Sequence, residues 1–135
     1  MRNERVISGV LGFLVLFDLL LVVWAFGFPE LWFLIWHGSA DAPPHAELLL
    51  KRVGANWAGF MVFQAVALKY WKSSPVWLAV IAGVRFSDIF TDITYAVFAQ
   101  DATWFAYVAL PPMGLINFAL GWYLLTAYRE RREQR

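Results

Sequence analysis

Polar residues are bunched along this chain, and the stretches between the bunches are long and apolar. Residues 6–28 (VISGVLGFLVLFDLLLVVWAFGF) contain one charge, Asp18. Residues 53–71 (VGANWAGFMVFQAVALKYW), 75–99 (PVWLAVIAGVRFSDIFTDITYAVFA) and 110–128 (LPPMGLINFALGWYLLTAY) have the same character. At 1.5 Å per residue, about 20 helical residues cross the roughly 30 Å of hydrocarbon in a bilayer. None of the four shows the alternation of a barrel strand, and lipid leaves the helix as the alternative that satisfies the backbone. The pattern predicts an all-α integral membrane protein, an antiparallel bundle of four transmembrane helices with a short outer interfacial segment.

The connection between the first two spans refines this. PELWFLIWHG, residues 29–38, is aromatic and too short to span, and reads as an interfacial segment with Trp32 and Trp36 at headgroup level. In DAPPHAELLLKR, Asp41 is a candidate cap, Pro43 and Pro44 suit a first turn, and Glu47 suits the positive end of the helix dipole. The second helix is therefore predicted to start near Pro44 and run to about Lys72. TWFAYVALPP, residues 103–112, is predicted as a short outer segment, with Pro111 and Pro112 starting or kinking the last span. The reading is one domain, 1–135, with spans at about 6–28, 44–72, 75–99 and 110–128 and an outer connection at 29–43.

Composition agrees. Hydrophobic residues make up 61% of the chain, against roughly 45–50% in soluble domains. The N-terminal apolar run exceeds the roughly 7–15 residues of a secretory signal core, so it is expected to stay as an anchor. With no cysteine, disulfides, thiolate nucleophiles and thiolate metal sites are excluded.

Basic residues set the orientation. Arg2 and Arg5 precede the first span, Lys69 and Lys72 follow the second, and Arg129, Arg131, Arg132 and Arg135 follow the fourth. An even number of spans puts all three groups on one side, which the positive-inside rule makes cytoplasmic, as in a bacterial inner (plasma) membrane. Lys51 and Arg52 break the rule at the outer side, and Arg52 is expected to be engaged with protein.

The candidate chemistry is polar groups at membrane depth. Arg85, Asp88 and Asp92 fall within roughly a 60° arc of the third span. Asp18 on the first span, Asn56 on the second and Asn117 on the fourth come to similar depths, all roughly 15–21 Å from the cytoplasmic ends, and Arg52 lies near Asp92 at roughly 25–27 Å. Intramembrane ionisable residues face a bundle interior or a cavity and point to function. The expected pairs are Arg52 with Asp92, and Arg85 with Asp18, Asp88 or both. Three carboxylates then meet two guanidiniums, and the one left over carries a proton or awaits a cation. The candidate ligand-binding set is Asp18, Arg52, Asn56, Arg85, Asp88, Asp92 and Asn117, with Asp18, Asp88 and Asp92 as catalytic candidates. A purely structural network remains the competing explanation, since interhelical polar contacts often serve as glue.

The rest of the chain adds little. His37 and His45 lack the spacing and rigid placement of metal ligands, and neither a metal nor a cofactor is expected. No phosphate-binding glycine loop, nucleophile triad or nucleic-acid surface is present.

KRVGANWAGF at 51–60 and GVRFSDIF at 83–90 loosely resemble the DoxX-like bacterial membrane proteins. LFDLLL at 16–21 and YVALPPMGLI at 107–116 resemble spans of the EXPERA group of sterol isomerases and sigma-2-type receptors. The second resemblance implies a bundle cavity, lined by carboxylates, for sterols or lipophilic amines. The leading expectation is a non-enzymatic protein that binds a small lipophilic or cationic ligand, or an accessory subunit of a membrane complex. Its partners are the lipid bilayer, the small molecule, and another membrane protein or a second copy. The alternatives are a membrane-embedded isomerase of lipid-like substrates, with Asp88 or Asp18 as proton donor and Asp92 as acceptor, and a proton-coupled carrier.

Overall fold

The computed structural model describes residues 3–133, so Arg2 and Arg135, two of the orienting charges, lie outside the described residues. The chain is all-helical: α1 (Glu4–Gly27), α2 (Pro29–His37), α3 (Pro44–Tyr70), α4 (Val76–Phe98) and α5 (Trp104–Arg132). Asn3 caps α1 by accepting a hydrogen bond from the Arg5 amide at 2.9 Å. The interfacial segment 29–38 is the short helix α2, which begins at Pro29 and ends at Gly38 in the left-handed conformation, φ 74°.

Two local expectations are corrected. Pro43, not Asp41, occupies the cap position of α3; the backbone N–H of Asp41 instead donates to Ser39 Oγ at 3.2 Å. Residues 103–112 do not form a separate segment, because α5 runs unbroken from Trp104 through both prolines. Pro111 and Pro112 lack the N–H groups that would bond the Tyr107 and Val108 carbonyls. Tyr107 and Val108 are exposed, so those carbonyls lie at the helix surface and not in the core.

The four long helices pack as two antiparallel hairpins. In the first, Trp71 reaches Ser8, Gln64 reaches Asp18, and Gly54 lies against Ala25 and Phe26, so α3 descends as α1 rises. In the second, Leu78 shares a core with Leu124, Phe86 packs on Gly121 and Phe118, and Tyr95 shares a core with Ala106 and Leu110. The interior positions step by three and four residues, the spacing of a bundle seam. They are Ile7, Leu11, Leu14 and Asp18 on α1, Gly54, Trp57, Met61 and Gln64 on α3, Leu78, Ala82, Arg85, Asp88 and Asp92 on α4, and Leu110, Met113, Asn117, Gly121 and Leu124 on α5.

There are two apolar cores. One, at the end holding both described termini, gathers Ile7, Leu11, Leu14, Ala67, Trp71, Leu78, Ile81 and Leu124. Charge fastens this end: Glu4 receives Arg131 at 2.7 Å and Lys72 at 3.1 Å. Hydrogen bonds from Arg131 and Lys72 hold the Glu4 carboxyl below its usual range. The second core forms at the other end, where α2 folds over the bundle and buries Trp36 against Ala106 and Leu110. Thr103 rivets it: its hydroxyl donates to the Ile35 carbonyl at 2.7 Å and its amide to the Trp36 carbonyl at 2.9 Å.

Among the described residues, two helices, α1 and α5, are long and apolar enough to cross a membrane by length and composition. Only 22% and 17% of their apolar windows are buried, unlike the core helix of a soluble protein. The outer surface carries the remainder: Phe13, Leu16, Leu20, Val62, Phe90, Val97, Leu115 and Trp122 are all exposed.

Candidate functional site

Between the two apolar cores lies a polar layer. On α1, Asp18 stands between Leu14 of one core and Ala25; on α4, Arg85 to Asp92 stand between Ala82 and Tyr95; on α5, Asn117 stands between Leu124 and Met113. Arg85 is its hub. The guanidinium Nη2 lies 3.1 Å from Asp18 Oδ2 and 3.1 Å from Asp88 Oδ2. The first contact joins the two hairpins; the second runs along α4 at the i,i+3 spacing where helix side chains meet. Gln64 Nε2 donates to the same Asp18 Oδ2 at 2.7 Å. Asp18 and Arg85 are each 1% exposed and Gln64 is fully buried, whereas the Asp88 side chain is 15% exposed.

Asp92 turns the other way, toward α5. The Asn117 side chain of α5 lies near its carboxylate. Asp92 Oδ2 nevertheless has no hydrogen-bond partner, and neither do Asp18 Oδ1, Gln64 Oε1 and Arg85 Nε. Buried polar atoms are normally paired, so four such atoms in one layer mark a network that is not closed.

An aromatic group sits above this layer. Trp32 of α2 packs on Trp24 of α1 (5.3 Å), Trp57 of α3 (5.5 Å) and Trp36 (5.4 Å), and Trp36 meets Tyr95 of α4 edge-on at 5.9 Å. Tyr95 lies one turn beyond Asp92, and its hydroxyl shares a 3.0 Å hydrogen bond with His37 Nε2. Burial pushes the His37 imidazole below its ordinary value of 6.5, with Asp101 acting weakly in the opposite direction. The buried indole nitrogens of Trp24 and Trp36 also lack partners.

Of the residues singled out in the sequence, the structure brings together Asp18, Arg85, Asp88, Asp92 and Asn117. Two others lie elsewhere. Arg52 and Asn56 are exposed, and no ion pair joins Arg52 to Asp92 among the described residues. The reason is the helix face. At 100° per residue, Arg52 and Asn56 fall on the side of α3 away from Gly54, Trp57, Met61 and Gln64. Gly59, on that same outer side, has nothing within 4 Å of where a Cβ would stand. Lys51, the other basic residue of this end, pairs with Glu47 on its own helix at 2.6 Å. Gln64, by contrast, belongs to the site although the sequence reading gave it no role. Its signal was there: it continues the four-and-three spacing from Gly54 through Trp57 and Met61.

The charge count changes accordingly. Three carboxylates share one guanidinium, not two. Among the described residues, no group of histidine, aspartate or glutamate is arranged to hold a metal. A depression of about 280 Å³ exists at the end capped by α2, lined by Glu30, Phe33, Asp41 and Glu47, apart from the polar layer. Comparison of the chain with protein-family models, with curated proteins and with solved structures finds no match.

Proposed function

We propose that the chain is an integral membrane protein whose helices α1, α3, α4 and α5 all cross the bilayer, with both termini cytoplasmic and α2 at the outer interface. The two helices that fall short of a simple apolar test support this in their detail. α4 carries Arg85, Asp88 and Asp92, but all three are turned inward, and the exposed side of that helix combines Val80, Phe90, Ile93 and Val97 with Ser87 and Thr91, whose hydroxyls donate to carbonyls of their own helix. α3 is diluted by Glu47, Lys51 and Arg52 in its first third and by Asn56, Gln64 and Lys69 beyond; of the latter three Gln64 is buried, Lys69 lies in the last turn and Asn56 is exposed. Clustering of Lys69, Lys72, Arg129, Arg131 and Arg132 at one end supports the orientation.

Within that bundle, the acidic layer is a binding site for a small lipophilic cation. One observation carries this reading: Arg85 is engaged by Asp18 and Asp88, and Asp92 faces the bundle with an unpartnered oxygen and no guanidinium of its own. Charges held in a low-dielectric interior need counter-charge. The tryptophan and tyrosine faces above Asp92 suit the body of an organic cation, which aromatic rings attract electrostatically. Partial exposure of Asp88 supports a lateral approach to the layer.

Benzyltrimethylammonium, a permanent cation with an aromatic body, tests the reading in purified protein. Ligand bound to the native state raises the thermal midpoint with concentration. The expected result is a concentration-dependent rise in wild type that is absent in the Asp88→Asn, Asp92→Asn double variant. An equal rise in both proteins sinks the proposal.

A further inference from the structure

Asp18 and Gln64 are a carboxyl and a primary amide joined by one hydrogen bond where two can form. Gln64 Nε2 donates to Asp18 Oδ2 at 2.7 Å. The second oxygen of each, Asp18 Oδ1 and Gln64 Oε1, is buried and has no partner. Both orphans are acceptors, so neither can satisfy the other while Asp18 is ionised. One proton changes this. Placed on Asp18 Oδ1, it turns that oxygen into a donor and supplies Gln64 Oε1 with the partner it lacks, which closes the two-bond ring of an acid–amide pair.

We infer that Asp18 and Gln64 form a proton-binding site, loaded on Asp18 Oδ1 and held by the Gln64 carbonyl. The proton comes from water through the partly exposed acidic strip, and no other bond is made or broken. The groups that bear on Asp18 are Arg85 and Asp88 of α4 and Gln64 of α3. In the empty state Arg85 is shared between Asp18 and Asp88, with both oxygens 3.1 Å away. Loading neutralises Asp18 and leaves the guanidinium to Asp88 on its own helix. The contact that loading weakens is the one joining α1 to α4, so proton occupancy sets the strength of the tie between the two hairpins. The site gives the layer a proton-loaded and an unloaded state, which is the chemistry a proton-coupled device needs. It rests on the membrane-embedded reading of the bundle but not on the cation site at Asp92.

Infrared difference spectroscopy of protein reconstituted in phosphatidylcholine vesicles tests it. As pH is lowered, wild type is expected to gain, beyond the bands of its other carboxyl groups, a distinct protonated-carboxyl stretching band from Asp18 that shifts in heavy water. Asp18→Asn should remove that band, and Asp88→Asn should leave it. Gln64→Leu keeps the carboxyl but removes the amide, and should move the band to the higher frequency of an acid with a weaker hydrogen bond. If Asp18→Asn does not fold, as judged by circular dichroism, Gln64→Leu decides alone. A band unchanged in Gln64→Leu, or lost in Asp88→Asn, overturns the proposal. So does a wild type with no such band, the result expected if a water molecule bridges the two oxygens. Binding of benzyltrimethylammonium is read separately, so failure of one site does not imply failure of the other.

Discussion

Replacing Arg85 with leucine removes the only guanidinium in the polar layer. Arg85 is 1% exposed and serves two carboxylates at 3.1 Å each. Two magnitudes compete. An ordinary polar contact between membrane helices contributes about 0.6 kcal/mol, with about 2 kcal/mol as an upper range. Removing one member of a buried ion pair costs about 3–5 kcal/mol, because the remaining charge stays buried without compensation. Arg85→Leu strands Asp18 and Asp88 together, so the larger figure applies. Asp18→Asn is milder. It leaves Arg85 with Asp88 and keeps an acceptor for Gln64, so a loss of about 1.5–3 kcal/mol is expected, the range for a hydrogen bond to a charged group.

The assay is reversible unfolding in mixed micelles, titrated with a denaturing detergent and followed by far-ultraviolet circular dichroism. The sequence contains eight tryptophans, so fluorescence gives a second probe of the same transition. A cycle of Asp18→Leu, Arg85→Leu and the double variant isolates the pair. The double variant should cost less than the sum of the singles by about 0.5–3 kcal/mol, since Asp18 is no longer there to be stranded, while Asp88 is left unpaired equally in both Arg85 variants. Two results refute the reasoning. An Arg85→Leu loss near 0.6 kcal/mol would put the hub among ordinary helix contacts. A strictly additive cycle would mean that Asp18 and Arg85 do not interact in the folded protein.

Burial of His37 predicts a pH dependence with a definite sign. The unfolded chain takes up a proton near 6.5 while the folded chain resists it, so stability is complete above that pH and declines as pH falls through 6.5 toward the lowered folded value. His37→Gln should flatten that acid limb in the same unfolding assay, and an unchanged limb would assign it to another group. Two glycines of α3 should respond in opposite directions. A Cβ at Gly54 would stand 2.9 Å from both Ala25 Cβ and the Phe26 ring, so Gly54→Ala is expected to cost about 1–3 kcal/mol by overpacking. Gly59→Ala meets nothing and should be neutral or gain up to about 1 kcal/mol in helix propensity; equal effects at both would contradict the assigned face of α3.

The long helices were legible because their signal is redundant. The 6–28 and 53–71 runs were bounded by charge or proline at both ends, and α1, α3 and α4 begin and end within two residues of the 6–28, 44–72 and 75–99 read from the sequence. α5 was less so: Pro111 and Pro112 argued for a break that a helix surface absorbed, because the freed carbonyls lie on exposed residues. The hub of the site was legible as well. Arg85 was matched to Asp18 and Asp88 by depth and arc alone, and both contacts are present at 3.1 Å. What depth cannot convey is azimuth. Arg52 matched Asp92 in height, and the two still lie on surfaces that do not meet.

The register of α3 shows which criterion settles azimuth. Arg52, Asn56, Gly59 and Phe63 form a stripe whose chemistry invites an inward reading: a charge, an amide and a small residue for close packing. Gly54, Trp57, Met61 and Gln64 form a stripe with a single polar group, yet this is the one that faces α1. The difference lies in what each can pack against. Gly54 admits Ala25 and Phe26 to near contact, Trp57 completes the tryptophan group, and Gln64 meets Asp18. The other stripe has no such counterparts among the described residues. Residues along the bundle are sorted by the partners the seam supplies, and polarity is a weaker guide than spacing. That sorting also removes one cation from the interior. With Arg52 outside, the layer holds three carboxylates against Arg85 alone, and it is this imbalance that makes proton or cation binding the chemistry to test.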